Sequence, residues 1–456
     1  MWIRRGPLTA IASGVCAALV QGAAFAARID ESFGDRGLAL IGAAEDDLYQ
    51  PSAPVVQDDG KILVCGNGLS RDGLAYGRYL YRMNSQGLPD IGFGDAGRVE
   101  LHAGPSISWA ACDALGQRNG KIIAAVIGPE VSVFRFELDG SADASFGAEG
   151  VRTHAIDPRL AEGYYIPATW IGDDGTLVYA GPVYPNRFAA SRVQPDGTLD
   201  STFGEDGLAL VDGPVAEYWY PHMAAMAVDS AGRVLLVGTM ATDATQLSCY
   251  VARLSQNGDL DTGFAHNGTS TIGGRFRSCG LGAAGFQADG AILLAGVTAD
   301  SDSDLNIVRL LGDGQVDASY GEGGLAVLEN PGQVEWITTR QMLVFHRGVV
   351  LVGTAHTMRG SKGLVAKVTY DGSPDVSFAA GGIEAFDLLP GEYGQAFQTF
   401  AGAAVTEDGH LVVAGASKDS NRDYLDFLVL VKGTEAPSHS LRPVPADLLQ
   451  SRTRRP

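Results

Sequence analysis

Five stretches of the sequence set an acidic residue beside aromatic rings: Asp47 with Tyr49, Glu162 with Tyr164 and Tyr165, Glu217 with Tyr218, Trp219 and Tyr220, Glu335 with Trp336, and Glu392 with Tyr393. Aromatic faces stack on sugar rings and cations, while carboxylates hold hydroxyls or positive charge. The pairing therefore suits recognition of a saccharide or a cationic group. The equally open structural reading has the rings wedged between neighbouring elements and the acids capping turns. Glu217 and Glu335 would serve general acid-base chemistry, as in a lyase or hydrolase, if the fold brought both to one substrate.

Other chemistry is thinly represented. Asp300, Asp302 and Asp304 alternate as carboxylates do at the start of a calcium loop, but Leu305 replaces the Gly and Leu311 the bidentate acid. A solvated hairpin tip is the simpler reading, with calcium as its alternative and no other cofactor indicated. The eight histidines (His102, His154, His222, His266, His346, His356, His410, His439) nowhere pair with each other or with Cys at ligand spacing. Nucleophile-elbow, zinc-protease and phosphate-loop motifs are all absent.

A more regular pattern is ionic. A basic residue precedes an Asp by eight positions in six places: Arg82 and Asp90, Arg135 and Asp143, Arg192 and Asp200, Arg253 and Asp261, Arg309 and Asp317, Lys367 and Asp375. Lys432 and Asp30 stand alone near the two ends. Such pairs are read as internal latches that close a turn rather than as a ring facing a ligand.

These residues are carried by a repeat. The stretch Asp200-Ser201-Thr202-Phe203-Gly204-Glu205-Asp206-Gly207 occurs seven times, with its Asp at intervals of 60, 53, 57, 61, 56 and 58 residues from Asp30 to Asp375. Each repeat holds four apolar pieces of strand length, separated by Asp-Gly or Asn-Gly turns such as Asp59-Gly60, Asn119-Gly120 and Asp196-Gly197. These dipeptides tolerate the positive φ of a two-residue hairpin. Four short strands per repeat predict an all-β, seven-bladed β-propeller of four-stranded antiparallel blades, with six or eight blades as alternatives.

The strand before the first turn is expected to be innermost. It is made of small residues, as in Ala224-Ala225-Met226-Ala227 and Gly282-Ala283-Ala284-Gly285. The signature aromatic (Phe33, Phe93, Phe146, Phe203, Phe264, Tyr320, Phe378) is expected to anchor neighbouring blades. The last repeat has three strand pieces, and the strand near Leu38 would supply its fourth, closing the ring and leaving no open edge.

The signature, with Arg253-Leu254 or Arg309-Leu310 before it, resembles the delta-60 repeat family of bacterial β-propeller proteins over about residues 28–432. The match departs at Phe264-Ala265 and Phe378-Ala379, which lack the Gly, and at Pro89-Asp90. The resemblance implies architecture and assigns no reaction. Pseudo-symmetry would gather Tyr49, Glu162, Tyr164, Glu217, Trp219, Glu335, Trp336, Glu392 and Tyr393 at one channel mouth. That makes the chain a binding or scaffold module for a carbohydrate, peptide or protein ligand, with an enzyme as the alternative.

The ends differ from the middle. Arg4-Arg5, an apolar run and Ala24-Phe25-Ala26 predict a secretory signal over residues 1–27, cleaved near Ala26 or Ala27, and a secreted or periplasmic location. Residues 433–456, with Pro437, Pro443 and Pro445 among arginines, read as a disordered tail. Without Arg4 and Arg5 the formal charge moves from -20 to -22, 31 basic against 53 acidic side chains. That disfavours nucleic acid as a partner. No stretch beyond the leader is long and apolar enough to span a bilayer, and a monomer is expected. Cys65 is expected to pair with Cys112, and Cys249 with Cys279, since each bridge would join adjacent repeats.

Overall fold

The structure is a computed structural model that describes residues 27–44, 51–69, 76–102, 111–128, 130–161, 168–214, 221–241, 247–272, 280–298, 301–330, 332, 334–345, 347–388, 397–418 and 424–432. It is an all-β, propeller-like arrangement of antiparallel sheets. After β1 (Arg28–Ile29) and β2 (Leu38–Ala44), four-stranded sheets follow one another along the chain. The first holds β3 (Val55–Val56), β4 (Ile62–Leu69), β5 (Tyr76–Met83) and β6 (Arg98–Glu100). The second holds β7 (Ala111–Arg118), β8 (Lys121–Ile127), β9 (Glu130–Phe136) and β10 (Val151–Ala155). A helical turn, α1 (Pro158–Ala161), leads to β11 (Ala168–Ile171), β12 (Leu177–Val183), β13 (Arg187–Val193) and β14 (Leu208–Asp212). Next come β15 (His222–Val228), β16 (Val234–Ala241), β17 (Leu247–Leu254) and β18 (Thr269–Ile272), then β19 (Gly280–Phe286), β20 (Ile292–Thr298), β21 (Ser301–Leu310) and β22 (Leu325–Leu328).

The sixth sheet has nine strands. β23 (Trp336–Phe345), β24 (Gly348–Thr357), β25 (Gly360–Thr369) and β26 (Ile383–Phe386) form one meander, and β27 (Phe397–Val405), β28 (Leu411–Lys418) and β29 (Tyr424–Lys432) another. A single parallel pairing, Ser361 with Phe397, joins them. Both β1 and β2 pair antiparallel with β29, Leu38 opposite Val429 and Ala44 opposite Tyr424.

The sheets stack face to face, and this explains their sequences. Strands such as β8, β12 and β16 are buried on both faces and are therefore continuously apolar rather than alternating. The first strand of each sheet lies against the first strand of the next, β3 on β7, β7 on β11, β11 on β15, β15 on β19, β19 on β23, β23 on β27, and β27 lies on β3. Small residues let them approach: a Cβ on Gly282 would come within 2.3 Å of the Thr339 carbonyl oxygen. The signature aromatics are buried in clusters shared by neighbouring sheets, as Phe203 is between Ala190 and Phe188 on one side and Val234, Leu236 and Leu254 on the other.

The turns correct one expectation. At Asp59-Gly60, Asp139-Gly140 and Asp196-Gly197 only the Gly takes positive φ, and Gly60 donates its N–H to Gln57 while Gln57 donates to Lys61. This is the longer hairpin in which a type I turn is followed by a left-handed Gly. The Asp instead accepts from the residue two further on, Thr198 N–H reaching Asp196 Oδ1 at 2.9 Å. Two-residue hairpins with positive φ at both centres occur at Asn119-Gly120 and in the signature itself, at Arg36-Gly37 and Asp206-Gly207. Ala265, where the signature lacks its Gly, still adopts φ 43°.

Cys65 and Cys112 form a disulfide between the first and second sheets, as expected. Cys249 is disulfide-bonded as well, while its expected partner Cys279 lies outside the described residues. The signal segment 1–26 and the tail 433–456 also lie outside them. Among the described residues no helix is long and apolar enough to cross a membrane.

Candidate functional site

One set of polar side chains recurs at one end of the inner strands. At the end where those strands finish, the ionic pairs foreseen from spacing all form. Arg82, Arg135, Arg192 and Arg253 place Nε at 2.7–2.8 Å from Oδ2 of Asp90, Asp143, Asp200 and Asp261. Lys367 reaches Asp375 at 2.9 Å, and Lys432 reaches Asp30 at 3.0 Å across the chain ends. The other carboxylate oxygen takes the residue two positions on: Thr202 gives both its N–H (3.1 Å) and its hydroxyl (2.6 Å) to Asp200 Oδ1. Burial opposes ionisation of Asp200, but the Thr202 hydroxyl and Arg192 outweigh it and hold the carboxyl below its ordinary range.

Each arginine also covers its signature ring, Arg192 lying 4.7 Å above the Phe203 centroid. Arg82, Arg192 and Arg253 then reach into the following repeat, Arg253 Nη1 donating to the Gly312 carbonyl at 2.6 Å. The signature backbone does the same: Gly204 N–H donates to Asn257 O at 2.7 Å and Ala265 N–H to Asp313 O at 2.7 Å. These residues are consumed by the fold. The fifth pair is modified, since Arg309 lies 3.3 Å from Asp317 and also bonds Asp289, whose Oδ2 accepts the Tyr370 hydroxyl at 2.6 Å. Burial, then Asp289, push the Tyr370 hydroxyl up to about 12.

The other end of the inner strands holds the candidate site. Of the acid-aromatic residues, Tyr49, Glu162, Tyr164, Glu217, Trp219, Glu392 and Tyr393 lie outside the described residues. Glu335 and Trp336 are described, where the chain enters β23. Trp336 is 44% exposed. Its ring stacks on His356 of β24, centroids 4.7 Å apart and planes 10° from parallel. The register makes the stack, because Trp336 is directly opposite His356 in the antiparallel pair, so both project from one face of the sheet. Glu335 donates its backbone N–H to the His356 carbonyl at 2.7 Å, continuing the ladder one residue further, and its side chain is exposed.

Two more residues of β23 complete the group. Thr338, two positions after Trp336 and so on the same face, has its hydroxyl 3.1 Å from His356 Nε2. Arg340 is the extra residue of a β-bulge, the register skipping from Thr339 to Gln341, and is exposed. Burial and then the Arg340 charge hold His356 below its ordinary pKa, so the imidazole is neutral near pH 7. Arg340 has no ion-pair partner among the described residues. The row continues sideways, His356 opposite Ser361 and Ser361 beside Phe397, which is 55% exposed.

Spacing could have pointed to Thr338 and Arg340, which follow Trp336 at steps of two. His356 gave no such signal, because it meets Trp336 only through hairpin register. The aspartates of the calcium-like stretch part company: Asp300 lies outside the described residues, Asp302 contributes backbone to β21, and Asp304 Oδ1 accepts the Asn330 N–H at 2.9 Å. Among the described residues no three His, Cys, Asp or Glu groups converge as metal ligands.

A family profile described as a β-propeller domain of unknown function, DUF5122, matches residues 173–203, 232–264 and 287–320. This group is related to the delta-60 repeat propellers, and each matched segment runs from an inner hairpin to a signature aromatic. No curated protein matches the chain. Among solved structures, it is similar to the β-propeller domain of the Trilobed protease from Pyrococcus furiosus at 10% identity, covering 88% of this chain and 97% of that one with a TM-score of 0.43. It is similar to Sqt1 from Chaetomium thermophilum at 10% identity, 85% and 98% coverage and TM-score 0.45. An ulvan lyase, described as a new family of polysaccharide lyase, is similar at 11% identity, 90% and 96% coverage and TM-score 0.48.

Proposed function

We propose that the chain is an exported, seven-bladed β-propeller over residues 28–432 that acts as a binding module, with its ligand at the mouth where the inner strands begin. The blade count is supported by the two meanders within the nine-stranded sheet, held together by one pairing, and by β27 lying on β3. Closure by the N-terminal strand is supported by β2 pairing with β29 and by Lys432 at 3.0 Å from Asp30. Disulfide chemistry and the leader-like segment support a secreted or periplasmic location.

One observation carries the binding role: Trp336, a large ring, is left exposed and braced flat against His356 rather than wedged between sheets. A rigid aromatic surface beside a hydroxyl and an imidazole is what a saccharide or an aromatic-bearing peptide stacks upon. Glu162, Tyr164, Glu217, Trp219, Glu392, Tyr393 and Tyr49 belong to the same proposed mouth by their equivalent places in the repeat.

The test is a thermal-shift panel of residues 27–456 against oligosaccharides, short peptides and calcium with a chelator control. A ligand of the folded state at a hundred times its Kd raises stability by about 2.7 kcal/mol. The expected result is a shift with one ligand class that disappears in Trp336→Ala while the unliganded melting point holds. A shift that survives the substitution places binding elsewhere and overturns this reading.

A further inference from the structure

The Trp336 mouth contains a positive charge that the rest of the molecule leads one not to expect. The protein carries a formal charge of -20, and the basic residues of the recurring latches are spent on carboxylates. Arg340 is different: it is exposed, has no ion-pair partner among the described residues, and sits at a bulge of the strand that bears Trp336. Its charge is felt at His356, which is the floor of the stacking surface. An exposed guanidinium four residues along the same strand opposes a cationic ligand at this surface, which disfavours one of the two classes an acid-aromatic pair would otherwise suit.

We infer that the ligand stacked on Trp336 is an acidic saccharide, a sugar ring bearing a carboxylate that pairs with Arg340. The inference rests on the binding role proposed above and assigns its chemistry. A planar guanidinium with a fork of N–H donors matches a carboxylate in two parallel hydrogen bonds. The Thr338 hydroxyl and neutral His356 offer uncharged hydrogen-bonding partners between the two anchors. Glu335 lies at the Trp336 end, five residues before Arg340, and its negative charge repels the acidic group of the ligand towards Arg340.

The experiment uses isothermal titration of the mature protein with trigalacturonate and with its methyl ester, which keeps the rings and removes the charge. Wild type, Arg340→Gln and Trp336→Ala are compared, with melting curves as the folding control. The acid is expected to bind at least about tenfold more tightly than the ester, about 1.4 kcal/mol. Arg340→Gln should bring the two affinities together, and Trp336→Ala should weaken both. An ester that binds wild type as well as the acid, an acid-to-ester ratio unchanged in Arg340→Gln, or no binding of either compound overturns the acidic assignment. If the ratio is unchanged but Trp336→Ala loses both compounds, the mouth stands as the site and only its charge preference falls. Binding untouched by Trp336→Ala removes the mouth itself.

Discussion

The two ends of the inner strands use their charged residues in opposite ways. At the signature end each Arg or Lys is committed to a carboxylate, each Arg also to an aromatic ring, and Arg82, Arg192 and Arg253 to a carbonyl of the next repeat as well. At the other end, Trp336 and Arg340 are exposed, and Glu335 hydrogen-bonds through its backbone N–H. Repetition marks the residues that hold the sheets together, while the residues at the other end stand outside it and are exposed. Four variants and two titrations would break or sharpen that contrast.

The largest effect is expected in the signature. Phe203→Ala empties a fully buried position shared by two sheets and should cost about 3–5 kcal/mol in urea denaturation. Trp336→Ala, on a half-exposed ring, should cost under about 1 kcal/mol, so equal losses would erase the distinction between the two ends. Next comes Asp200→Asn, which deprives nearly buried Arg192 of its charged acceptor at a cost of about 1.5–3 kcal/mol. Glu335→Gln should change stability by no more than about 0.5 kcal/mol.

Acid should reach the two kinds of group in a fixed order. His154 on β10 has both ring nitrogens buried without a hydrogen-bond partner, and burial lowers its pKa from the ordinary 6.5. The unfolded chain therefore takes up this proton more readily. The stabilisation is present above pH 6.5 and is lost as pH falls towards the folded value. His154→Phe should flatten that part of a stability-pH curve, and an unchanged slope would exclude His154 as its source. Among the latch aspartates, Asp200 and Asp375 are held below their ordinary 3.8, so their contribution persists above that value and disappears only at still lower pH.

The smallest effect is a shift in one resonance. Arg340→Gln removes a charge that disfavours the imidazolium, so the His356 pKa should rise in an NMR titration. No change would mean that the guanidinium is not beside the stack, and the acidic-saccharide inference would lose its geometry.

The signature end was legible in the sequence because its contacts are local. A spacing of eight residues was enough to pair Arg192 with Asp200, and one invariant aromatic per repeat was enough to predict Phe203 as an inter-sheet anchor. The reach of Arg253 to Gly312, 59 positions away, was not legible, since a backbone carbonyl has no sequence signature. Turn type was misread because Asp-Gly suits both hairpin forms, and the Gln57 and Lys61 hydrogen bonds decide between them. At the other end, the sequence singled out Trp336 but gave no sign that His356 would stack against it. Their stack depends on a strand register interrupted at Thr339 and Gln341, which no periodicity encodes.

The pairing of β2 with β29 sets a timetable. Leu38 meets Val429, and nearly the whole chain lies between them. A strand that emerges among the first must wait, as an unpaired edge with hydrogen-bonding groups exposed, until the last strand has been delivered. A product stopped short of Tyr424 would be left with its first strand as an adhesive edge, so the β2–β29 pairing separates a chain that carries β29 from one cut before it.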